Sequence, residues 1–290
     1  MRQVEITYRY DADSTVSRPR PSDADEACRR LDEGNRAFAT LFDSLVSGSG
    51  MARRVIAVDS RDLGILPGDH GPPKQRPYAA VLGCSDARVP IELIFNEGPN
   101  DLFVVRVAGN GLGGEVLGSL RYAADNLGDS LKLVVVLGHS GCGAVSAAVD
   151  AFLQPATYIS LAPDHSLRAI LDRLLIVVHA SATRVQAILG PEVTRCPGYR
   201  DALIEASVVL NAALTAYTVQ KELGGVGQGD LQATYGVYLL STRQIWAPRG
   251  GSAECAGLAR CPADLADFAA LADAVVRSDR FTKLLEQGPT

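Results

Sequence analysis

Two short segments carry side chains that could hold a metal ion: Cys84, which opens Cys-Ser-Asp-Ala-Arg-Val-Pro, and His139-Ser-Gly-Cys142. Two thiolates and an imidazole suit Zn²⁺, with sulfur at about 2.3 Å and nitrogen at about 2.0 Å, and three protein ligands leave one tetrahedral position open. An open position points to catalysis. A closed structural site would want a fourth Cys or His close by, and neither loop supplies one. Taken singly, a His-x-x-Cys is a common chance match, and small buried cysteines beside a strand-end histidine account for it more readily than a metal site does.

The elements that must position these residues are legible as short apolar runs. Tyr78 to Gly83 (YAAVLG), Leu102 to Ala108 (LFVVRVA) and Leu133 to Gly138 (LVVVLG) read as buried strands, with a helical pattern from Val116 to Leu127 between the last two. Buried strands alternating with helices predict an α/β fold around a parallel sheet. Cys84 follows the first run and His139 the third, so both ligand sets fall at carboxyl ends of parallel strands, where open α/β sheets build their sites. Helices are expected over His165 to Leu189 and Asp201 to Leu223, parted by Gly190-Pro191 and Cys196-Pro197-Gly198, and a last strand with a turn over Ala233 to Ile245. Near the start, Asp23 or Asp25 could cap a helix with Ala27, Leu31, Ala37, Phe38, Leu41, Phe42 and Leu45 at helical spacing, interrupted at Gly34 and ended by Ser47-Gly48-Ser49-Gly50. Residues 60 to 77 read as irregular.

The two motifs together are more specific than either alone. Cys-Ser-Asp-Ala-Arg, followed 58 positions after its cysteine by the Cys of Gly-His-Ser-Gly-Cys-Gly, resembles the zinc signature of the β-class carbonic anhydrases. The resemblance extends over roughly residues 26 to 245 and includes Leu31-Asp-Glu-Gly-Asn-Arg-Ala-Phe38. It implies a central, mostly parallel four-stranded sheet with an additional C-terminal edge strand, flanked by helices, and an N-terminal helix packing on a partner subunit. It also implies one Zn²⁺ per subunit on Cys84, His139 and Cys142, and reversible hydration of CO₂ to bicarbonate and a proton by attack of zinc-bound hydroxide. Asp86 and Arg88 would form the catalytic ion pair, with Asp86 accepting a hydrogen bond from that hydroxide or, if its pairing to Arg88 is lost, swinging onto the metal.

Gln75, nine positions before Cys84, coincides with the substrate-binding glutamine of the family's plant-like subgroup. Phe103 and, after a short insertion, Tyr122 match its pocket aromatics. Such sites lie between subunits, so the resemblance implies a homodimer or a dimer of dimers. Read by pattern alone, Phe103 and Tyr122 are ordinary core residues, Asp86 a turn or cap residue and Arg88 a surface cation. Carbonyl sulfide or carbon disulfide hydrolysis on the same ligands, and a non-catalytic zinc scaffold, stay open as alternatives.

The rest of the chain narrows the partners. Its 290 residues are 47% hydrophobic and carry a net charge of -5, which gives no general affinity for nucleic acid or anionic membranes. The polar N-terminus is no secretory signal and no uninterrupted apolar run spans a bilayer, so a cytoplasmic setting is expected, one inside a carbon-fixing compartment being compatible. Residues 1–24 read as an arm that orders only against something else, 25–246 as the catalytic domain and 247–290 as an appended helical tail. Cys196, Cys255 and Cys261 fit no zinc spacing, and nothing in their spacing supports His70, His165 or His179 as proton shuttles. Gly109 to Gly114 fails the dinucleotide fingerprint. Val107 stands where relatives often carry an asparagine, and the only tryptophan, Trp246, makes a bicarbonate-inhibition pocket unexpected.

Overall fold

The run Ala79–Gly83 has no polar side chain, so a strand built from it is stable only with both faces covered, and the fold supplies that cover. In the computed structural model the described residues are 3–10, 19–46, 51–64, 71–161, 165–225, 231–248 and 257–287. The central sheet is built from strands β3 (Ala79–Gly83), β4 (Leu102–Arg106), β5 (Leu133–His139) and β6 (Gln232–Tyr238), with two short strands, β7 (Ile245–Trp246) and β8 (Ala259–Arg260). Its order is β4-β3-β5-β6-β7, the first four strands parallel, with β7 and β8 each pairing antiparallel with β6. The four expected parallel strands are therefore present, with two short antiparallel additions rather than one.

Alternate residues of the strands enter two apolar layers. Ala80, Leu82, Val134 and Val136 face α3 (Gly114–Asn126), α4 (Gly143–Leu153), α6 (His165–Leu189) and α7 (Tyr199–Leu223). Ala79, Val81, Leu133, Val135 and Leu137 face α1 (Ala24–Val46) and the single turn α2 (Ile91–Ile94). Burying each such Val or Leu contributes about 1.5–3 kcal/mol, an upper range given the compactness of unfolded chains. A further short helix, α5 (Pro155–Leu161), follows α4. By length and composition α7 could cross a bilayer, yet 83% of its most apolar stretch is buried inside the fold, where it packs on β5 and β6.

Three features depart from the sequence expectation. First, α1 runs unbroken through Gly34, capped by Asp23, whose Oδ1 accepts from Glu26 N at 2.7 Å. A Cβ at Gly34 would lie 1.9 Å from the Phe95 carbonyl oxygen, so the glycine serves a close approach of α1 to the end of α2. Second, part of the N-terminal arm is a strand: β1 (Gln3–Tyr10) pairs in parallel with β2 (Met51–Val58), Gln3 level with Met51 and Tyr10 with Val58. With α1 between them these strands make a β-α-β unit beside the main sheet.

Third, the C-terminal segment completes the core rather than hanging from it. Beyond β8, α8 (Leu265–Val276) and α9 (Asp279–Glu286) bury Leu271, Val275, Val276 and Phe281 against the α6 and α7 layer. Arg184 pairs with Asp273, and Arg280 with the buried Glu205, tying both helices to the domain.

Candidate metal centre

The register of the sheet brings the two motifs together. β3 and β5 are neighbours with Gly83 level with Leu137, so Cys84 leaves one strand about level with Gly138, one residue before His139 ends the other. Ser140 and Gly141 then reverse the chain, Gly141 at φ 63°, and Cys142 caps α4. The left-handed φ is what lets so short a turn return Cys142 beside His139. That turn is pinned to β6: Ser140 N donates to Tyr238 O, and Leu240 N donates to Ser140 Oγ, both at 3.0 Å.

The ligand atoms of Cys84, His139 and Cys142 all lie within 4.8 Å of one another, and all three residues are buried. The two sulfurs are 4.0 Å apart. His139 Nδ1 lies 3.0 Å from the Ser140 carbonyl oxygen, which can only accept, so the proton of a neutral ring sits on Nδ1 and Nε2 keeps its lone pair. His139 Nε2 is buried with no hydrogen-bond partner. A buried, unsatisfied imidazole nitrogen costs about 1–3 kcal/mol unless something else binds it. A cation held by Nε2 and both sulfurs would relieve that cost, and the donor set suits Zn²⁺.

The two thiols lie within hydrogen-bond reach of each other. The hydrogen bond from Cys142 pulls the Cys84 thiol well below its usual range against the effect of burial, helped by the Asp86 and Gly109 N–H groups. Cys142 is pushed up by that same hydrogen bond and by burial.

Asp86 stands beside the trio, its Oδ2 3.8 Å from His139 Nε2. Arg88 holds it in a fork, Nε to Oδ1 at 2.9 Å and Nη2 to Oδ2 at 2.7 Å, while Arg88 N also donates to Oδ1 at 2.9 Å. These contacts hold the Asp86 carboxyl far below the usual carboxylate range, the Arg88 side chain contributing most. Asp86 is thus a fixed acceptor, oriented by an exposed guanidinium.

Three supporting residues are not evident from the motifs. Arg106, at the end of β4, donates from Nε to Cys84 O (3.0 Å) and from Nη2 to Asp86 O (2.6 Å), fixing the backbone of the first motif. Gly109 N donates to Cys84 Sγ at 3.4 Å, and Asn211 on α7 holds the same residue by donating to Gly109 O at 2.9 Å. Arg106 could have been suspected as the one charge ending an apolar strand; Asn211 gives no local signal.

The other expected site residues lie elsewhere in the chain. Gln75 is exposed in the extended stretch before β3, at the amino end of that strand, whereas Cys84 follows its carboxyl end. Five strand residues at about 3.3 Å each separate them. Phe103 is half-buried in β4, level with Ala80 and packed on the α3–α7 layer, and Tyr122 is 53% exposed on α3. No single chain gathers these three about the trio.

Cys196 and Cys261 are free thiols, while Cys255 and His70 lie outside the described residues. His179 sits on α6 edge-on to Phe152, and Trp246 is buried in β7 against the α3–α7 layer. Neither joins the cluster of Cys84, His139 and Cys142.

Comparison with known proteins agrees with this geometry. Residues 79–213 match a family model described as carbonic anhydrase, a span that runs from β3 into α7 and includes all three donors. The chain is 51% identical over 77 residues to carbonic anhydrase 2 of Mycobacterium tuberculosis; the match covers 27% of this chain and only 36% of that protein. It is also similar to the structure of the β-carbonic anhydrase CcaA, at 26% identity and a TM-score of 0.46 over 61% of this chain and 82% of that one. The carbonic anhydrase of Pseudomonas aeruginosa is 32% identical over 199 residues, 65% of this chain and 81% of that protein. A match at that identity over four fifths of a relative places this chain in the carbonic anhydrase family.

Proposed function

We propose that the protein is a zinc-dependent β-class carbonic anhydrase that interconverts CO₂ and bicarbonate. The observation that carries this reading is the buried, unpartnered His139 Nε2, grouped with two cysteine sulfurs and set beside a carboxylate already clamped by arginine. Cys84, His139 and Cys142 would hold one Zn²⁺ per subunit. Bound there, zinc supplies Lewis acidity that brings the pKa of water from about 15.7 toward neutrality and so provides a nucleophile for the carbon of CO₂.

The chain's own residues then position that reaction. Asp86 accepts a hydrogen bond from the attacking water at Oδ2, which fixes the lone pair that faces the substrate carbon. It serves as a pure acceptor because Arg88 keeps it ionised. Arg106 holds the Cys84 and Asp86 carbonyls, so donor and acceptor keep one relative geometry. Gln75, Phe103 and Tyr122 would serve substrate from a second copy of the chain, the amide steadying developing bicarbonate between apolar walls. Their separation from the trio within one chain supports a homodimer or dimer of dimers with shared sites, as in the plant-like subgroup.

The test is metal analysis combined with CO₂ hydration assayed across pH on the zinc-loaded protein. One zinc per chain with activity that rises with pH is expected. Zinc-loaded protein with no hydration up to about pH 9, the pKa of water on aqueous zinc, would overturn the reading. Carbonyl sulfide and carbon disulfide assayed in parallel would show whether the substrate or the enzymatic role was misread.

A further inference from the structure

β1 belongs to a sheet of only two strands, and among the described residues its outer edge pairs with nothing. Two-stranded sheets are marginal by themselves, so this one depends on its inward face. Ile6 packs on the α1 side of the core, and the Tyr8 hydroxyl donates to Glu97 O at 3.4 Å. On β2, Arg54 Nε donates to Asn96 Oδ1 at 2.8 Å. The outward residues of β1, Gln3, Glu5, Thr7 and Arg9, are exposed, as are Tyr8 and Tyr10 toward the end of its inward face, while Val4 and Ile6 are half-buried. An eight-residue edge without proline or glycine, held in place by its other face, is a template for a further strand.

The order of charges along β1 indicates which strand fits. When two copies pair antiparallel about a two-fold axis, residues opposite one another share a face. Keeping Ile6 and Tyr8 inward in both copies therefore allows only registers whose paired numbers have an even sum. With Thr7 on the axis, Glu5 meets Arg9 of the second copy and Arg9 meets its Glu5. Inward, Ile6 meets Tyr8 and Val4 meets Tyr10. Moving the axis to Ile6 sets Arg9 against Gln3 and Glu5 against Thr7, and moving it to Tyr8 sets Arg9 against Thr7, so neither neighbouring register pairs opposite charges. Glu5 already lies 2.9 Å from Arg53 of β2, and in the centred register it would sit between two guanidinium groups.

We propose that the free edge of β1 is a self-association surface, joining two copies of this chain as antiparallel β1 strands with Thr7 on the two-fold axis. This surface rests on neither the metal centre nor the proposed reaction.

The test uses the full-length chain with Thr7→Cys under mild oxidation, read as disulfide-linked dimer on a non-reducing gel. The unsubstituted protein, with its six cysteines, sets the background. Opposed residues of antiparallel strands have Cα atoms about 4.5–5.5 Å apart, inside the reach of a disulfide. Linked dimer well above background is expected. Adding Glu5→Arg or Arg9→Glu should each lower it about tenfold, because each sets like charges opposite at two places. Mixing the two singly reversed proteins should restore it, since every site then meets its opposite. Arg9→Glu leaves the Glu5–Arg53 pair intact, and circular dichroism confirms that each variant is folded. No linked dimer above background, linking indifferent to the charge reversals, or failure of the mixture to recover would each overturn the proposal.

Discussion

The two ends of the central sheet differ in how much of a site one chain supplies. At the carboxyl ends of β3 and β5, Cys84, His139, Cys142 and Asp86 are brought together with their own supports from β4, β6 and α7. At the amino end of β3, Gln75 is exposed, and Tyr122 on α3 is exposed as well. A parallel sheet puts all its strand exits on one side, so loops that follow strands meet readily and residues that precede them cannot reach across. The metal half of the proposed site is therefore intramolecular, whereas Gln75 and Tyr122 stand away from it within one chain, and the proposed reading draws them from a second copy.

The strongest test of the first half is the metal itself. His139→Ala removes the unpartnered nitrogen, and zinc content should fall below a tenth of the unsubstituted protein while CO₂ hydration drops at least about 10³-fold, as for loss of a metal-activated nucleophile. Hydration retained in a zinc-free variant would break the assignment. Asp86→Asn should keep zinc but lower kcat about 10²-fold, because the amide no longer offers two acceptors in fixed orientation.

Arg88→Gln sharpens the same half through pH. Asp86 has a carboxyl whose folded pKa is depressed by Arg88, so its ionised form persists below the ordinary carboxylate range, and the linked stabilisation is lost only as pH falls through that depressed value. Removing the guanidinium should return the transition to about pH 4, the unperturbed carboxylate value, and lower kcat about tenfold at neutral pH. An acid limb identical in the two proteins would show that Asp86 is not the group Arg88 serves.

The second half is tested by complementation. Gln75→Ala should reduce kcat/KM about tenfold, the scale of one lost hydrogen bond to substrate. Mixed with a Cys84→Ser protein, subunit exchange should recover part of the activity, because one site per pair then has intact donors and an intact glutamine from the other chain. No recovery despite exchange would confine Gln75 to its own chain and break the comparison. The smallest expected effect is Tyr122→Phe, which keeps the ring and should change kcat/KM less than about threefold, the scale of one weak hydrogen bond.

Much of this was legible in the sequence, for identifiable reasons. The strands β3, β4 and β5 announce themselves because a segment buried on both faces must be apolar throughout. β1 and β2 do not: β2 buries one face at most and β1 only half-buries Val4 and Ile6, and Tyr8, Tyr10, Arg53 and Arg54 blur the alternation. Gly34 looked like a break in α1 because propensity sees the missing side chain, whereas only the packed fold shows the Phe95 carbonyl lying against it. The C-terminal helices read as a tail because nothing local says that Leu271 and Phe281 will close the α6 and α7 layer.

By itself the sequence determined that Cys84, His139 and Cys142 would meet at strand ends, since this follows from residue type and spacing along adjacent parallel strands. Tertiary structure alone decided that Arg106, Gly109 N–H and Asn211 hold the first motif, and that Gln75 stands at the wrong end of its strand to join it. Those contacts link residues from 20 to 102 positions apart in sequence, and side chain to backbone bonds at such separations leave no periodic trace for a sequence to display.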